Sequence, residues 1–212
     1  MSENLTLTGQ IQRVHIFVDF WNFTLSLRDT EAGFQSDWIK LPSVLMQQVQ
    51  QLDISVPRST YTYQGIRVYG SYDPSNPKDE TLRKWASNFL ASKVPGCKVD
   101  FVPRQKKKSP PKCPACQGLV STCPHCAADM RGTEEKGVDT RIATEMISLA
   151  WENAYDVAIL ISSDKDFVPV VEFLHTKGKK VVHAAFPPKG AALLQTCWGQ
   201  INMPAVMNSF RR

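Results

Sequence analysis

The 212-residue sequence lacks the short motifs that mark several common classes of α/β enzyme. It has neither the P-loop pattern GxxxxGKS/T of NTPases nor the GxGxxG pattern of dinucleotide-binding enzymes. A phosphatase of the haloacid dehalogenase type needs Asp-x-Asp after the first strand, and the stretch "DFWN" has only the first Asp. These three enzyme classes are therefore disfavoured.

Long apolar segments are also missing. No run of apolar residues reaches membrane-spanning length. The stretch "MSENLTLTGQIQRV" has no basic start followed by an apolar run, and no signal cleavage site. We therefore expect a soluble cytoplasmic protein with no membrane partner.

Charge is distributed unevenly along the chain. Lys plus Arg exceed Asp plus Glu by only 25 to 20, and the pI is about 8.9, which is weak evidence for a nucleic-acid partner. The stretch "RQKKKSPPK" (104–112) nevertheless holds five cations and no anion. Its candidate nucleic-acid contacts are Arg104, Lys106, Lys107, Lys108 and Lys112.

Apolar periodicity predicts strands that alternate with helices, which indicates an α/β fold with a mostly parallel sheet. Because the first and fourth strands are the most apolar, we place them side by side in the centre, which gives a five-stranded sheet of order 3-2-1-4-5. The predicted strands are the apolar run that opens 13–23, then 63–72, 97–103, 156–162 and 179–186, and the predicted helices are 41–52, 78–94, 137–154, 166–178 and 191–197.

Acidic residues follow the central strands of this predicted sheet. Asp19 ends the first apolar run, Asp164 and Asp166 follow the fourth, and Asp139 begins a helix, with Glu145 two turns further on. Neighbouring strands lie about 4.8 Å apart, so these carboxylates should converge at one edge of the sheet and hold Mg²⁺ or Mn²⁺. A helix cap explains any one of these aspartates equally well, but the set favours a metal site.

A cysteine-rich insert interrupts the α/β pattern at 104–135. The stretch "CPACQGLVSTCPHC" contains two CPxC pairs that are six residues apart, which suits tetrahedral Zn²⁺ better than a redox pair. We expect a small zinc hairpin inside a single domain that spans residues 1–212. The predicted zinc ligands are Cys113, Cys116, Cys123 and Cys126.

Three stretches together resemble a known family. "VDFWNF", "KGVDTRIATEM" and "AILISSDKDFVPVVEFLHTKGKKV" are similar to the NYN domain of the PIN-like nuclease superfamily, in particular to its LabA-like branch. The resemblance implies a three-layer, PIN-like (Rossmann-like) sheet and a metal-dependent ribonuclease. It implies metal ligands at Asp19, Asp139, Asp164 and Asp166, with supporting roles for Asn22 and Ser162 and an acidic residue at Glu145, where many relatives have Asp.

Two functions remain open on the sequence alone. The first is an endoribonuclease that hydrolyses single-stranded or structured RNA by water attack, with DNA as a further substrate class. The second is a non-catalytic RNA-binding or adaptor protein that uses the zinc hairpin. The hairpin could alternatively mediate a homodimer, and Trp21 could stack on a base or simply pack in the core.

Overall fold

The structure is a computed structural model, and it describes residues 9–55 and 58–212. Residues 1–8, which carry part of the localisation argument above, lie outside the described residues. The strands are β1 Ile11–Asp19, β2 Thr60–Tyr72, β3 Cys97–Pro103, β4 Gln105–Lys106, β5 Thr133–Glu134, β6 Val157–Ile161, β7 Lys180–Ala185 and β8 Gly199–Asn202.

Helices connect the strands of the main sheet. A π-helical turn (Ala86–Leu90) joins the third and fourth helices, and 3₁₀ turns at Lys165–Phe167 and Met207–Phe210 precede and follow helical segments. The α-helices are α1 Phe20–Thr30, α2 Leu41–Leu52, α3 Pro77–Trp85, α4 Ala91–Lys93, α5 Val138–Trp151, α6 Val168–Thr176, α7 Ala191–Thr196 and α8 Met203–Val206. Among the described residues, no helix is long and apolar enough to cross a membrane.

The main sheet has six parallel strands in the order β3-β2-β1-β6-β7-β8. The five predicted strands occupy the relative order 3-2-1-4-5, but the predicted strand count was wrong because β8 extends the sheet beyond β7. This strand has four residues, and Ile201 is the one that is buried. So short a segment carries no period-2 pattern that a sequence could reveal.

The stretch 13–23 divides into a strand and the start of a helix that was not predicted. The strand ends at Asp19, and α1 begins at once with Phe20. Asp19 is the N-cap of this helix, because its Oδ1 accepts the backbone N–H of Asn22 at 3.1 Å. The predicted end of the first apolar run at Asp19 is confirmed, and the rest of the stretch 13–23 forms the start of α1, where Phe20 and Phe23 are buried by a helix and not by the sheet.

Two apolar cores cover the two faces of the sheet. On β1, Val14, Ile16 and Val18 face one core, and Phe17 faces the other. The first core includes side chains of α1 and α2, and the second includes those of α5 and α6. Because both faces are buried, the central strands are apolar throughout, and polar side chains gather at the strand ends.

The insert begins where β3 ends. Its base is the short antiparallel pair β4–β5, in which Gln105 lies opposite Glu134. Between these strands the chain makes two similar turns, closed by the isolated bridges Lys112–Leu119 and Thr122–Asp129. This arrangement returns the chain to the sheet edge just before α5.

Candidate active site

The predicted aspartates gather at the carboxyl edge of the sheet. Strands β1 and β6 are paired in parallel, with Val18 opposite Ile161, so Asp19 and the loop after β6 lie side by side. Asp139 lies in the first turn of α5, where the charges of Asp164 and Asp166 help to raise the pKa of its carboxyl, after burial as the main cause. Four carboxylates from three chain segments therefore share one electrostatic environment.

Asp19 is the most buried of these acids, with 6% of its surface exposed. Its Oδ2 accepts a hydrogen bond from Ser162 Oγ at 3.2 Å. Burial raises the pKa of Asp19 to about 6, opposed by the hydrogen bond from the Asn22 backbone and reinforced by the charge of Asp139. A carboxylate in this position is costly in its ionised form unless a cation is present.

Ser162 and Asn22 position the loop that carries the acidic pair. Ser162 Oγ accepts the backbone N–H of Asp164 at 3.2 Å, and Asn22 Oδ1 accepts that of Ser163 at 3.0 Å. His183 lies 2.9 Å from the carbonyl oxygen of Ser162, which fixes the same loop from β7. Both residues that were expected to orient ligands thus hold the backbone of this loop.

Asp164 and Asp166 are connected through the same turn. Asp164 Oδ1 accepts the backbone N–H of Asp166 at 2.9 Å and caps the 3₁₀ turn at Lys165–Phe167. This is the capping role weighed for Asp164 on sequence grounds, and it occupies one of its two carboxylate oxygens. Capping and a ligand role are therefore compatible here.

A family comparison now bears on this geometry. The NYN domain profile matches residues 13–202, which is most of the chain. This chain belongs to the NYN domain family. The NYN domain is part of the PIN-like nuclease superfamily, which associates the fold with nuclease function.

Comparison with solved structures supports the fold of this NYN domain. The crystal structure of a protein of unknown function from Vibrio parahaemolyticus RIMD 2210633 superposes with a TM-score of 0.57 and covers 95% of this chain and 96% of its own. The two sequences are 17% identical, so the likeness concerns the fold alone. No protein with a curated description matches this chain.

Glu135 is an acidic residue of the site that sequence reasoning missed. Its carboxylate accepts a hydrogen bond from Ser71 Oγ at the end of β2, beside β1. Its charge contributes to the raised pKa values of both Asp19 and Asp139. Its position four residues before Asp139 was a signal, but only the return of the insert to Ser71 brings its carboxylate to the crevice.

Glu145 does not join the acidic crevice of the NYN domain. Its Oε1 lies 3.3 Å from Arg67 Nε in a salt bridge. This salt bridge engages the Glu145 carboxylate outside the hydrogen-bond network of Asp19, so the contact does not support the catalytic role expected for Glu145. Its contacts place it against β2 instead.

Trp21 is tied to the base of the insert. Its Nε1 donates to the carbonyl oxygen of Ser71 at 2.7 Å, and Phe20 contacts its ring edge-to-face at 5.2 Å. The Arg104 guanidinium lies over the indole at 5.6 Å from the ring centre and donates to Ser71 Oγ at 3.0 Å. The ring therefore packs against protein in this conformation and leaves only a partly exposed edge.

The basic run divides into paired and unpaired cations. Lys106 Nζ lies 2.7 Å from Asp129, which also binds Arg131. By contrast, Lys107, Lys108 and Lys112 are exposed and form no ion pair within the described part of the chain. These three lysines are the ones left to meet an external anion.

Each CPxC pair forms its own turn. The N–H of Gln117 donates to the carbonyl of Cys113, and that of Ala127 donates to the carbonyl of Cys123, both at 2.9 Å. Backbone N–H groups near Cys116 and near His125 and Cys126 lower the pKa values of the Cys113 and Cys123 thiols. The turns thus favour thiolates, the form in which cysteine binds metal.

Full metal-binding clusters are nevertheless not assembled. Across residues 9–55 and 58–212, no three His, Cys, Asp or Glu side chains form a group that could hold a metal ion. All six cysteines are free thiols. The donor chemistry of the crevice suits Mg²⁺ or Mn²⁺, and that of the two turns suits Zn²⁺, but each set is more open than a closed coordination shell.

Proposed function

We propose that this NYN domain protein is a metal-dependent endoribonuclease of the LabA-like type that hydrolyses RNA phosphodiester bonds in the cytoplasm. The observation that carries the proposal is the set of mutually repelling carboxylates at the ends of β1 and β6 and at the start of α5, in which Asp19 is buried. Burial and neighbouring acids raise the pKa values of Asp19 and Asp139, and no cationic side chain is among the causes that act on either. A hard divalent cation would relieve this repulsion.

The ion would be held by the oxygens of four aspartates, in part through water, because no three potential ligands among the described residues form a group that could hold an ion directly. When bound, Mg²⁺ or Mn²⁺ would supply an activated water and neutralise charge on the phosphate. The water oxygen would then form a bond to phosphorus as the bond between phosphorus and the leaving nucleotide oxygen breaks; the water proton would pass to solvent or a carboxylate, and the leaving oxygen would take up a proton from solvent. The proposed ligands are Asp19, Asp139, Asp164 and Asp166.

The protein's own contribution is to hold this arrangement. Ser162 and Asn22 fix the loop after β6: Ser162 Oγ donates to Asp19 and accepts the backbone N–H of Asp164, and Asn22 accepts that of Ser163. Glu135 adds a carboxylate from the insert. A preorganised site of this kind lowers the cost of binding both metal and phosphate.

Zn²⁺ would be structural and would be held by Cys113, Cys116, Cys123 and Cys126. Zinc binding supplies folding energy that a basic, core-free insert lacks, and it would draw the two turns together. Together with Arg104, the exposed Lys107, Lys108 and Lys112 would then guide the RNA backbone toward the crevice. The paired Lys106 would join them only after releasing Asp129.

The test is cleavage of end-labelled single-stranded RNA by the purified protein. Separate reactions contain Mn²⁺, Mg²⁺ or EDTA. In a fourth reaction, EDTA is followed by excess Mg²⁺ and by restored Zn²⁺, so that the effect of the catalytic metal is distinguished from that of zinc. Asp164→Asn is the informative variant, because Asn caps a helix about as well as Asp, and Asp29→Asn, at an exposed position of α1 that pairs with Lys189, is the matched control. We expect metal-dependent cleavage that Asp164→Asn abolishes and Asp29→Asn retains; cleavage by both variants would refute the assigned site.

A second candidate function is that of an RNA-binding or adaptor protein. It is favoured because no three potential metal ligands among the described residues form a group that could hold an ion. In that case RNA binding persists in the absence of cleavage and fails when the CPxC cysteines are replaced. Sedimentation of the same samples shows whether the insert instead forms a homodimer.

A further inference from the structure

A second concave site lies on the other flank of α5. Its volume is about 420 Å³, with a floor formed by β2 and β3 and a wall formed by α5. Arg141, on the wall, hydrogen-bonds Asp100 of β3 at 2.8 Å, whereas Asp139 faces Asp164 and Asp166. Residues two apart on a helix point to nearly opposite sides, so this α5 cavity and the acidic crevice flank the same helix end. The charged and polar groups of the α5 cavity include Arg67, Tyr69, Lys98, Asp100, Arg141 and Glu145.

The α5 cavity has more cations than anions. Arg67, whose side chain is 10% exposed, pairs with Glu145 at 3.3 Å, and Arg141 pairs with Asp100. Lys98 has no ion-pair partner within the described residues. One positive charge on the floor is therefore left without a counter-charge.

A buried histidine lies behind this floor. His15 is 5% exposed, and neither ring nitrogen has a hydrogen-bond partner among the described residues. A Cβ at Gly65 would lie 3.3 Å from Arg67 Nη1 and 3.4 Å from His15 Nε2, so both nitrogens border the space that the absent side chain leaves open. Buried polar nitrogens without partners are uncommon and are usually matched by water or a ligand.

The electrostatic potential at this depth is positive. Burial, followed by the charges of Arg67 and Lys98, lowers the pKa of His15 to about 4, with no carboxylate among the causes. At the opposite end of the α5 cavity, the negative charges of Glu145 and Asp100 also act on the Tyr69 hydroxyl, so the electrostatic field at that end is mixed in sign. The excess positive charge is therefore concentrated where Arg67 and Lys98 lie on neighbouring strands, in register.

We propose that the α5 cavity is a phosphate-binding subsite that takes a nucleotide phosphate between Lys98 and Arg67. The inference rests on the proposed ribonuclease function, because a strand that enters the crevice beside Asp139 reaches the α5 cavity around the first turn of the same helix. An RNA phosphodiester and the phosphate of a free nucleotide share this chemistry. Guanidinium and ammonium groups over a concave floor are the usual partners of both.

The test measures binding independently of cleavage. It uses the full-length, zinc-loaded Asp164→Asn protein without added Mg²⁺ or Mn²⁺, and the RNA is checked on a gel to be intact. Labelled single-stranded RNA, a nucleoside 5′-monophosphate and inorganic phosphate are titrated in turn at several salt concentrations. Lys98→Ala and Lys98→Glu are compared with Lys177→Glu, an exposed lysine outside the α5 cavity.

We expect Lys98→Ala to weaken RNA binding and to reduce the slope of log K against log salt by about 0.7, the value for one phosphate contact on a single strand. Lys98→Glu should weaken RNA binding further, and Lys177→Glu should match the parent. Loss of RNA binding without detectable monophosphate binding assigns the site to the RNA strand, and monophosphate binding that depends on Lys98 assigns it to a free nucleotide. If the parent protein and the Lys98 variants bind each of the three ligands equally well, the proposal is overturned, whatever the cleavage assay shows.

Discussion

Asn22 Oδ1 accepts the backbone N–H of Ser163 at 3.0 Å, across 141 positions of sequence. This bond joins the helix that follows β1 to the loop that follows β6, so it fixes the acidic pair relative to Asp19. The residue thus acts on the crevice through the backbone of a neighbouring loop.

Replacing Asn22 should therefore reduce turnover more than it reduces stability. Asn22→Ala removes one hydrogen bond, which costs about 1 kcal/mol of unfolding free energy. A displaced catalytic loop can cost about 100-fold in rate. Single-turnover cleavage measures the loss of rate, and a denaturant titration of the same sample measures the loss of stability. If the rate falls no more than the loss of stability accounts for, the positioning role is contradicted.

Asp19 should destabilise the fold at neutral pH in the absence of metal. Its pKa is about 6 in the folded protein against 3.8 ordinarily, so the folded state binds more protons between these values and stability falls as pH rises through them. Each unit corresponds to about 1.4 kcal/mol. We expect Asp19→Asn, which keeps an N-cap, to be more stable than the wild type by about 2–3 kcal/mol at pH 8, with the difference vanishing near pH 4. Denaturant titrations at both pH values measure this difference in stability. Equal stability of the two proteins at pH 8 would show that the ionised Asp19 carboxylate does not destabilise the fold.

His15 should make stability depend on pH in the opposite direction from Asp19. Its pKa is lowered to about 4 from 6.5, mainly by burial, so the unfolded state binds more protons in this window and stability falls as pH drops below 6.5. His15→Phe places an aromatic ring beside Phe17 and Tyr155, whose rings lie 5.8 and 6.1 Å from the imidazole. We expect the variant to lose less stability between pH 7 and pH 4.5 than the wild type. A pH profile parallel to that of the wild type would show that His15 does not titrate as its surroundings imply.

Glu135 should contribute to metal affinity. Glu135→Gln removes a charge that acts on Asp19 and Asp139, and supporting groups around a metal typically change affinity by about 10-fold or more. Mn²⁺ binding followed by electron paramagnetic resonance measures the affinity without any turnover. The matched control is Glu134→Gln, because Glu134 is adjacent and pairs instead with Lys136 at 2.9 Å. Equal affinities for the two variants would exclude Glu135 from the site.

The two CPxC turns should bind one zinc ion together. We expect one Zn²⁺ per chain by mass spectrometry under native conditions, and loss of this zinc in Cys113→Ser and in Cys123→Ser. Because the metal supplies the folding energy of the insert, its removal should make residues 104–135 sensitive to proteolysis. Two zinc ions per chain, or none, would show that the turns do not close on a shared ion.

The sequence determined the alternation of strands and helices, because strands buried on both faces must be apolar along their whole length. It also indicated Asp19, Asp139, Asp164 and Asp166, since the ends of parallel strands meet at one edge of the sheet. The short strand β8 and helix α1 escaped prediction. The first has too few residues for a period, and the second begins at Phe20, directly after Asp19 ends β1, with no loop residues between the two elements.

Tertiary structure alone decided the partners of several charged residues. Glu145 has the spacing of an active-site acid, yet Arg67 on β2 binds it. Glu135 reaches Ser71 only because the insert folds back onto the sheet edge. Local spacing fixes the face of a helix or the end of a strand on which a side chain lies, but the packing of distant segments selects the charge that meets it, since electrostatic interactions depend on distance and burial rather than on sequence order.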